Sequence, residues 1–189
     1  HIVLGDIEKI KTNQMPDNPD VVIGGFPCQG FSIANLGRSV DDSRNKLYKQ
    51  MLRVIKVKKP KYFVAENVEG ILTLGKGAVM QKILKDFKSI GYKVDYKLLN
   101  AADYGVPQAR KRVFIIGNRL GLDNPYPSQT HQAPTKRSDI LFDARLQNYV
   151  TTKEAINFLS KVPTTNKTIY VKNRIIHNHM ADTNVHDEF

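Results

Sequence analysis

Cysteine is nearly absent from this sequence: its 189 residues include a single one, Cys28. A lone cysteine cannot form a disulfide within the chain, and it excludes a zinc site built from several cysteines. Such a residue is either a small buried apolar side chain or a reactive nucleophile, and without further context the buried alternative is favoured. The residues around Cys28 must therefore decide between the two.

Long apolar runs are missing as well. No window of about 18 residues, the length that a membrane-spanning helix needs, is continuously apolar. The opening residues, His1 to Asp6, lack the basic and extended apolar parts of a secretory signal peptide. The chain does not start with methionine, and residues 184–189 carry no cap or stop signal, so we interpret both ends as cuts within a longer protein.

Acidic residues are scarce relative to basic ones. The chain has 18 aspartate and glutamate residues against 29 lysine and arginine residues, which gives a formal net charge of +11. Such an excess raises affinity for polyanions such as nucleic acids, because binding releases condensed counterions. A solvated, lysine-rich surface would give the same composition, so charge alone leaves both interpretations open.

Three short apolar segments, each closed by glycine or polar residues, indicate buried strands. Asp6, Cys28 and Glu66 follow these segments, and in open α/β sheets functional sites form at the carboxyl ends of strands. The segments are Ile2 to Leu4, Val21 to Ile23 and Tyr62 to Ala65.

Apolar residues at helical spacing predict two helices between and after these strands. The first contains Leu47 to Ile55 and ends before Pro60, and the second contains Val79 to Ile90 with Gly91 at its C-cap. The sequence thus alternates strand and helix, which is typical of an α/β sheet with helices on both faces.

Two more strands are predicted at Tyr92 to Leu99 and at Arg112 to Gly117. The linker between them is too short for a helical crossover, so we expect the two strands to pair antiparallel. Beyond about residue 118 prolines mark loops, and a short helix is predicted at Lys153 to Leu159, with Thr151 or Thr152 as its N-cap.

The segment after the second strand gives Cys28 its context. Two glycines end the strand, and Pro27 stiffens the turn that presents the cysteine, which leaves the thiol exposed enough to react. The string at residues 25–32 resembles the nucleophile motif of the DNA cytosine-5 methyltransferases over eight consecutive positions: Gly25-Phe26-Pro27-Cys28-Gln29-Gly30-Phe31-Ser32.

Two further motifs carry the same resemblance. Glu66-Asn67-Val68 stands one helix and one strand after the cysteine, where the family has its Glu-Asn-Val triplet. Residues 108–112, Gln-Ala-Arg-Lys-Arg, resemble the Gln-x-Arg-x-Arg motif of the family, and the preceding Asp-Tyr-Gly-Val-Pro at 103–107 matches as well. By themselves the triplet is weak evidence and the basic segment would pass for an ordinary loop.

The resemblance implies a mechanism and roles for these residues. Cys28 would attack C6 of a flipped-out cytosine in double-stranded DNA, Glu66 would contact N3 and the exocyclic amine, and Arg112 would bind O2. The methyl group would come from S-adenosylmethionine. Arg110 is a further catalytic candidate, and the expected substrate contacts are Gln29, Ser32, Asn67 and Gln108.

Other segments resemble the cofactor-binding parts of the family. Gly5-Asp6-Ile7 is similar to the segment that holds the adenine of the cofactor, and residues 44–48 stand where the family has Arg-Gly-x-Leu-Phe. The resemblance therefore implies cofactor contacts at Asp6, Ile7, Pro27 and Leu47. No metal site is expected: His177 and His179 are interpreted as a linker, since no cysteine or carboxylate completes a ligand set.

By resemblance, residues 1–150 form a partial catalytic domain of the S-adenosylmethionine-dependent, Rossmann-like type, and residues 151–189 form the connection to a target-recognition domain and the start of that domain. The Phe-x-Gly-x-Gly cofactor loop and the closing motifs of the family are not in this sequence. We therefore expect exposed apolar sheet edges, an inactive fragment when alone, and a complementary chain as one route to a complete site.

The resemblance implies the modification enzyme of a restriction–modification system in the bacterial cytoplasm. Two alternatives stay open. One is a tRNA cytosine-5 methyltransferase of the same fold, although Gly30-Phe31-Ser32 follows the DNA type. The other is a remnant that binds DNA without methylating it.

Overall fold

A computed structural model describes residue 2, residues 4–27, 47–134, 143 and 145–157, and the backbone of 169–171 and 174–176. Cys28, Gln29, Ser32 and the histidine pair at 177 and 179 therefore lie outside the described residues. The chain divides into two compact units, residues 1–149 and 150–189. The functional roles predicted for residues 1–150 and 151–189 remain predictions.

A four-stranded mixed sheet is the centre of the first unit. Its strands are β1 (Val21–Gly25), β2 (Tyr62–Val68), β3 (Lys93–Asn100) and β4 (Lys111–Asn118), in the spatial order β1-β2-β4-β3. β1 pairs with β2 in parallel, whereas β4 lies antiparallel to both β2 and β3. The predicted antiparallel pairing of the last two strands is confirmed.

Two helices connect the strands, as the apolar spacing predicts. Helix α1 (Tyr48–Lys58) ends where Lys59 adopts a left-handed conformation with φ 48°, directly before Pro60. Helix α2 (Ala78–Ser89) is followed by Gly91 with φ 89°, a conformation that glycine adopts without steric cost.

The core lies between these helices and one face of the sheet. Phe63 of β2 is fully buried, and its ring centroid lies 4.5 Å from that of Phe87 on α2 and 5.4 Å from that of Tyr92. Burying a side chain of this size contributes about 1.5–3 kcal/mol. Gly117 faces Phe63 across the β2–β4 ladder, and a Cβ there would lie 2.2 Å from the Phe63 ring, so glycine provides the room that the ring occupies.

Both helices contribute to this single cluster, on the sheet face that also carries Ala65, Val113 and Ile115. The opposite face of β2, with Tyr62, Val64 and Glu66, is half-buried. The α/β fold class is thus confirmed, while in the described part of the chain both long helices cover the same face instead of opposite ones.

The predicted strand at Ile2 to Leu4 is wrong. Ile2 and Leu4 are 95% and 99% exposed and lie outside any strand. A strand needs a neighbour for its backbone hydrogen bonds, and in the described residues β1 pairs only with β2, which leaves Ile23 78% exposed at the sheet edge. The expectation of exposed apolar residues at an edge is confirmed at Ile23.

β2 is also longer than predicted. Glu66 and Asn67 belong to the strand instead of following it, because pairing with β1 continues to Gly25 and pairing with β4 continues to Val68. An apolar pattern ends at the first polar residue, whereas hydrogen bonds between backbones do not depend on side-chain polarity.

Short elements complete the two units. The first unit also contains 3₁₀ helices at Thr12–Gln14, Glu69–Leu72, Leu74–Gly77 and Ala101–Tyr104, and the parallel pair β5 (His131–Gln132) and β6 (Gln147–Asn148). The second unit contains α3 (Thr152–Ile156) and the antiparallel pair β7 (Ile169–Val171) and β8 (Arg174–Ile176).

Thr151 caps α3 as predicted: its hydroxyl accepts a hydrogen bond from the Glu154 N–H, and the Glu154 carboxylate in turn accepts from the Thr151 N–H. Of the helices in the described residues, none is long and apolar enough to span a membrane.

Candidate active site

The candidate site begins at the carboxyl end of β2, where two neighbouring side chains take opposite directions. Successive residues of a strand point to opposite faces of the sheet. The Glu66 side chain therefore projects from the sheet face opposite the helices, while Asn67 is 3% exposed on the helix side. The two polar residues of one motif consequently have different environments.

Glu66 forms an ion pair with Arg112, the second residue of β4. Arg112 lies opposite Val68 in the antiparallel register, which puts its side chain on the same face as Glu66. Arg112 Nε donates to Glu66 Oε1 at 2.8 Å, and the two side chains are 23% and 40% exposed, respectively. Arg112 Nη1 also donates to the Lys111 carbonyl oxygen at 2.8 Å. A pair this exposed adds at most about 1 kcal/mol to stability, so its importance is geometric.

The same carboxylate lies over the end of β1. Gly25 pairs with Glu66 in the parallel ladder, and a Cβ at position 25 would lie 3.6 Å from Glu66 Oε2. Pro27 follows as an exposed residue, and Cys28 is next in the chain. Glu66 is thus adjacent to the segment that leads to the predicted nucleophile.

Asn67 supports the segment before Cys28 from the helix side of the sheet. Its Nδ2 donates to the Phe26 carbonyl oxygen at 3.1 Å, and its Oδ1 accepts from the Val68 N–H at 2.9 Å. Both polar groups of the amide are therefore used within the protein. Through these hydrogen bonds Asn67 supports the turn before Cys28, and its contact with the substrate stays a prediction.

Phe26 is held from a second side by α1. It is 8% exposed, and its ring centroid lies 6.0 Å from that of Tyr48 in the first turn of the helix. The Tyr48 hydroxyl donates to Asp86 Oδ2 on α2 at 2.8 Å. Burial, and next the hydrogen bond to Asp86, raise the pKa of the Tyr48 hydroxyl well above its ordinary value.

An open groove of about 580 Å³ lies beside the Glu66–Arg112 pair. Lys111 Nζ lies 3.8 Å from Glu69 Oε1 across it. The Oδ1 of Asn100 is buried and has no hydrogen-bond partner within the described part of the protein. The groove is lined by Val68, Glu69, Gly70, Asn100, Gln108, Ala109, Arg110, Lys111 and Arg112.

The loop before β4 is hydrogen-bonded to residues that do not belong to any of the motifs. Asp103 Oδ1 accepts a hydrogen bond from the Tyr149 hydroxyl, and the Asp103 carbonyl oxygen accepts from the Thr130 N–H at 2.9 Å. The hydrogen bond to Asp103 is the main cause that raises the pKa of Tyr149. No periodicity or motif signal marks Tyr149, since its partner is 46 residues away in the chain.

Gly105 explains why this loop needs a glycine. Its φ is 83°, and a Cβ there would lie 2.7 Å from Cε1 of His131. His131 itself is oriented by a hydrogen bond between its Nδ1 and the Thr130 hydroxyl at 2.8 Å. The imidazole therefore packs directly on the glycine, and the loop that carries Gln108 and Arg110 is closed against the β5 segment.

The predicted cofactor residues lie at the ends of β1 and α1 and in a turn near the start of the chain. Asp6 accepts from the Glu8 N–H through Oδ1 at 2.9 Å, and Ile7 is 37% exposed. Leu47 directly precedes α1, and Arg53 of α1 donates to the Ile7 carbonyl oxygen at 2.7 Å. The turn is thus hydrogen-bonded to the helix that follows Leu47.

The structure therefore brings together Glu66, Arg112 and the β1 end, with Gln108 and Arg110 exposed along the adjacent groove. The predicted nucleophile and two of the expected substrate contacts, Cys28, Gln29 and Ser32, lie outside the described residues. Their roles and those of the other predicted site residues stay predictions.

Comparison with known proteins identifies the family of the chain. The model of the family described as C-5 cytosine-specific DNA methylase matches residues 1–188. The chain is 40% identical over 177 residues to the Type II methyltransferase M.NgoFVII of Neisseria gonorrhoeae, covering 92% of this chain and 45% of that protein. It is 48% identical over 160 residues to M.BspRI of Lysinibacillus sphaericus, covering 84% of this chain and 35% of that protein. The chain thus spans less than half the length of these relatives.

Solved structures show the same fold. A DNA modification methyltransferase encoded within a prophage of E. coli aligns with a TM-score of 0.59 at 29% identity, covering 90% of this chain and 47% of that one. The Entamoeba histolytica methyltransferase EhMeth aligns with a TM-score of 0.53 at 18% identity, covering 67% of this chain and 40% of that one. On the family match along nearly all of its length, the chain belongs to the C-5 cytosine-specific DNA methylases.

Proposed function

We propose that the protein containing this chain methylates C5 of cytosine in double-stranded DNA, as the modification enzyme of a restriction–modification system in the bacterial cytoplasm. The observation that carries the proposal is the Glu66–Arg112 pair, with an Nε–Oε1 distance of 2.8 Å, beside the β1 end that leads to Cys28. Membership of the family and relatives named as Type II methyltransferases support it.

Cys28 is the proposed nucleophile. Its thiolate adds to C6 of cytosine, which breaks the aromaticity of the ring and places electron density on C5. After methylation, loss of the C5 proton and elimination of the thiolate from C6 restore the aromatic ring. Asn67 and Tyr48 would assist indirectly, since they hold the backbone and the side chain of Phe26, two residues before the cysteine.

Glu66 and Arg112 are proposed to bind one edge of the cytosine ring. N3 and O2 are adjacent on that edge, and a carboxyl and a guanidinium group already in contact at 2.8 Å are spaced to reach both. Glu66 would stabilise the protonated N3, and Arg112 would donate to O2, where negative charge develops during attack at C6. Donors placed in advance for developing charge commonly account for a large part of catalysis.

The adjacent groove is proposed to hold the DNA strand next to the flipped-out base. A target atom inside the duplex is out of reach of Cys28, so the nucleotide must leave the stack. Arg110 and Lys111 line the groove and would contact phosphate oxygens, with Gln108 as a polar neighbour. Gln29 and Ser32 are proposed to contact the substrate from the segment after Cys28.

Asp6, Ile7, Pro27 and Leu47 fit S-adenosylmethionine by their chemistry. Ile7 is 37% exposed and Pro27 is exposed too, so apolar surface is available for an adenine ring, while Asp6 offers a carboxylate for hydroxyl or amino groups. When bound, the cofactor supplies the methyl group as a positively charged sulfonium. A complementary chain that supplies further cofactor contacts remains a prediction.

A trapping experiment tests the proposal. The intact protein is incubated with S-adenosylmethionine and a duplex that contains 5-fluorocytosine, whose fluorine blocks the final elimination. We expect a covalent complex with wild type and none with Cys28→Ser, which should still bind DNA. Because this chain has a single cysteine, a thiol adduct mapped to it by peptide mass spectrometry can only be at position 28.

Parallel reactions separate the alternatives. A tRNA methyltransferase would transfer radiolabelled methyl to tRNA and leave duplex DNA unlabelled, and a remnant without activity would bind DNA but neither label nor trap it. An adduct that persists in Cys28→Ser would contradict the assignment of the nucleophile.

A further inference from the structure

We infer that Arg53 is a positioning residue for S-adenosylmethionine: it holds the turn at residues 6–10 against α1, so that Asp6 and Ile7 stay aligned with Leu47 at the start of that helix. This inference rests on the proposed function.

Arg53 joins two parts of the fold through its guanidinium group. Nη2 donates to the carbonyl oxygens of Ile7 at 2.7 Å and Ile10 at 3.1 Å, and Nε donates to Oε1 of Gln50 at 2.9 Å. Gln50, one turn earlier on α1, fixes the orientation of the planar group, and the two carbonyl oxygens then accept from one nitrogen. Hydrogen bonds from a charged donor contribute more than neutral ones.

In the described residues, the other hydrogen bonds at this end of the turn lie within the turn itself. Its own hydrogen bonds are local: the N–H groups of Glu8, Lys9 and Ile10 all donate to Asp6. Residues 4–9 are exposed, and in the described residues before β1 the backbone forms no strand. Local hydrogen bonds fix the shape of a turn but do not fix where the turn lies.

A second cation of α1 holds the far end of the same segment. Lys58, which is 7% exposed, donates to the Met15 carbonyl oxygen at 2.8 Å and forms an ion pair with Asp17. Arg53 and Lys58 therefore fasten the segment at two places, and of these Arg53 is the one at the predicted cofactor contacts. We therefore expect substitutions of Arg53 and of Lys58 to differ in their effect on cofactor binding.

The connection to cofactor binding follows from position. Arg53 belongs to the helix that Leu47 precedes, and it binds the backbone of Ile7 directly. One guanidinium group thus fixes the distance between two segments that are both predicted to contact the cofactor. If the turn is released, the ligand must order it on binding, and that ordering lowers affinity without altering the reacting groups near Cys28.

The test compares Arg53→Gln, Arg53→Lys and the control Lys56→Gln, an exposed position of the same helix, in the intact protein. Calorimetry measures the Kd of S-adenosylmethionine, and steady-state kinetics separate its KM from kcat. Hydrogen exchange of the amides of residues 8–10 reports on the turn.

We expect Arg53→Gln to raise the Kd and KM for the cofactor by about tenfold, as for the loss of one charge-assisted hydrogen bond, with kcat at saturating cofactor within about threefold. Arg53→Lys, which keeps the charge but presents a single nitrogen, should recover part of the affinity. Lys56→Gln should match wild type, and exchange in the turn should accelerate only in the Arg53 variants.

The inference would be overturned if Arg53→Gln bound the cofactor like Lys56→Gln, or if kcat fell while the cofactor KM stayed constant. Failure of the proposed function has a different signature, because wild type itself would then neither bind the cofactor nor transfer a methyl group.

Discussion

Arg112 Nε donates to Glu66 Oε1 at 2.8 Å, although 46 positions separate the two residues in the chain. The contact exists because β4 runs antiparallel to β2, so the start of one strand meets the end of the other. Neither side chain depends on the other for burial, since both are partly exposed. Because an exposed ion pair contributes little to stability, opening this pair to bind a ligand would cost little.

The first prediction concerns this pair. Arg112→Ala should lower kcat by about 10²–10³, the usual loss when a preplaced donor to a developing negative charge is removed, while DNA affinity should fall only about threefold, because we expect other cations to contact the phosphates. Glu66→Gln keeps the shape of the side chain and removes its charge, and should also lower kcat. Single-turnover rates and DNA titrations provide the two quantities. Equal losses of rate and affinity in Arg112→Ala would show that the residue positions DNA and does not stabilise the reacting base.

The second prediction concerns Gly105. Alanine there must adopt φ 83° and place its Cβ 2.7 Å from the His131 ring, and strain plus overpacking should lower the free energy of unfolding by about 2–3 kcal/mol. Urea denaturation measures this change.

The double variant Gly105→Ala/His131→Ala separates the two costs. Removing the imidazole relieves the steric contact but leaves the backbone strain, so Gly105→Ala should cost about 1–2 kcal/mol in that background. An unchanged cost in the two backgrounds would contradict the close contact with His131.

The third prediction concerns pH. Burial, followed by the hydrogen bond to Asp86, raises the pKa of Tyr48 above its ordinary value of 10.0. The raised pKa means that the neutral phenol is favoured in the folded state, so this contribution to stability is complete below pH 10 and is lost as pH rises from there toward the raised value.

Denaturation of wild type and Tyr48→Phe at pH 8 and pH 10.5 tests this dependence. Wild type should lose more stability than Tyr48→Phe between the two values, because phenylalanine has no proton to release. Tyr62 is half-buried, and within the described residues its hydroxyl has no such hydrogen bond, so Tyr62→Phe provides the matched control. If both variants lose as much stability as wild type, the alkaline sensitivity arises elsewhere.

The fourth prediction concerns Tyr149. Tyr149→Phe removes the hydrogen bond to Asp103, one of the contacts that hold this loop, and should accelerate amide exchange in residues 101–110. DNA affinity should then fall about threefold to tenfold, since Arg110 and Gln108 must be ordered on binding. Asp103→Asn should reproduce the effect in part. Unchanged exchange in the loop would show that the Thr130 and His131 contacts suffice.

The order of the main helices and strands was predictable because it depends on local apolar spacing. α1 ends before Pro60 and α2 before Gly91, as expected, and the antiparallel β3–β4 pair follows from the short linker. The segment at Ile2 to Leu4 was not predictable in this way, because an apolar pattern does not show whether a neighbouring strand is present to pair with it.

The candidate site was predictable only where a motif names its residues. The resemblance selected Glu66 and Arg112, but their direct contact depends on the register of β2 and β4, which no local pattern specifies. Arg53 and Tyr149 were missed for a related reason: each acts through long-range hydrogen bonds, and neither the spacing nor the composition around them differs from that of an ordinary surface residue.

The alternation of buried and half-buried residues along β4 links the apolar core to the position of the Glu66–Arg112 pair. Val113 and Ile115 are fully buried against the helices, and this fixes which neighbours point the other way. A slip of one residue would turn Arg112 toward the core and present Lys111 to Glu66 instead, exchanging a planar fork of donors for a single ammonium group. A single-residue insertion or deletion between Arg112 and Ile115 would therefore alter the candidate active site, even if it changed no residue that contacts the substrate.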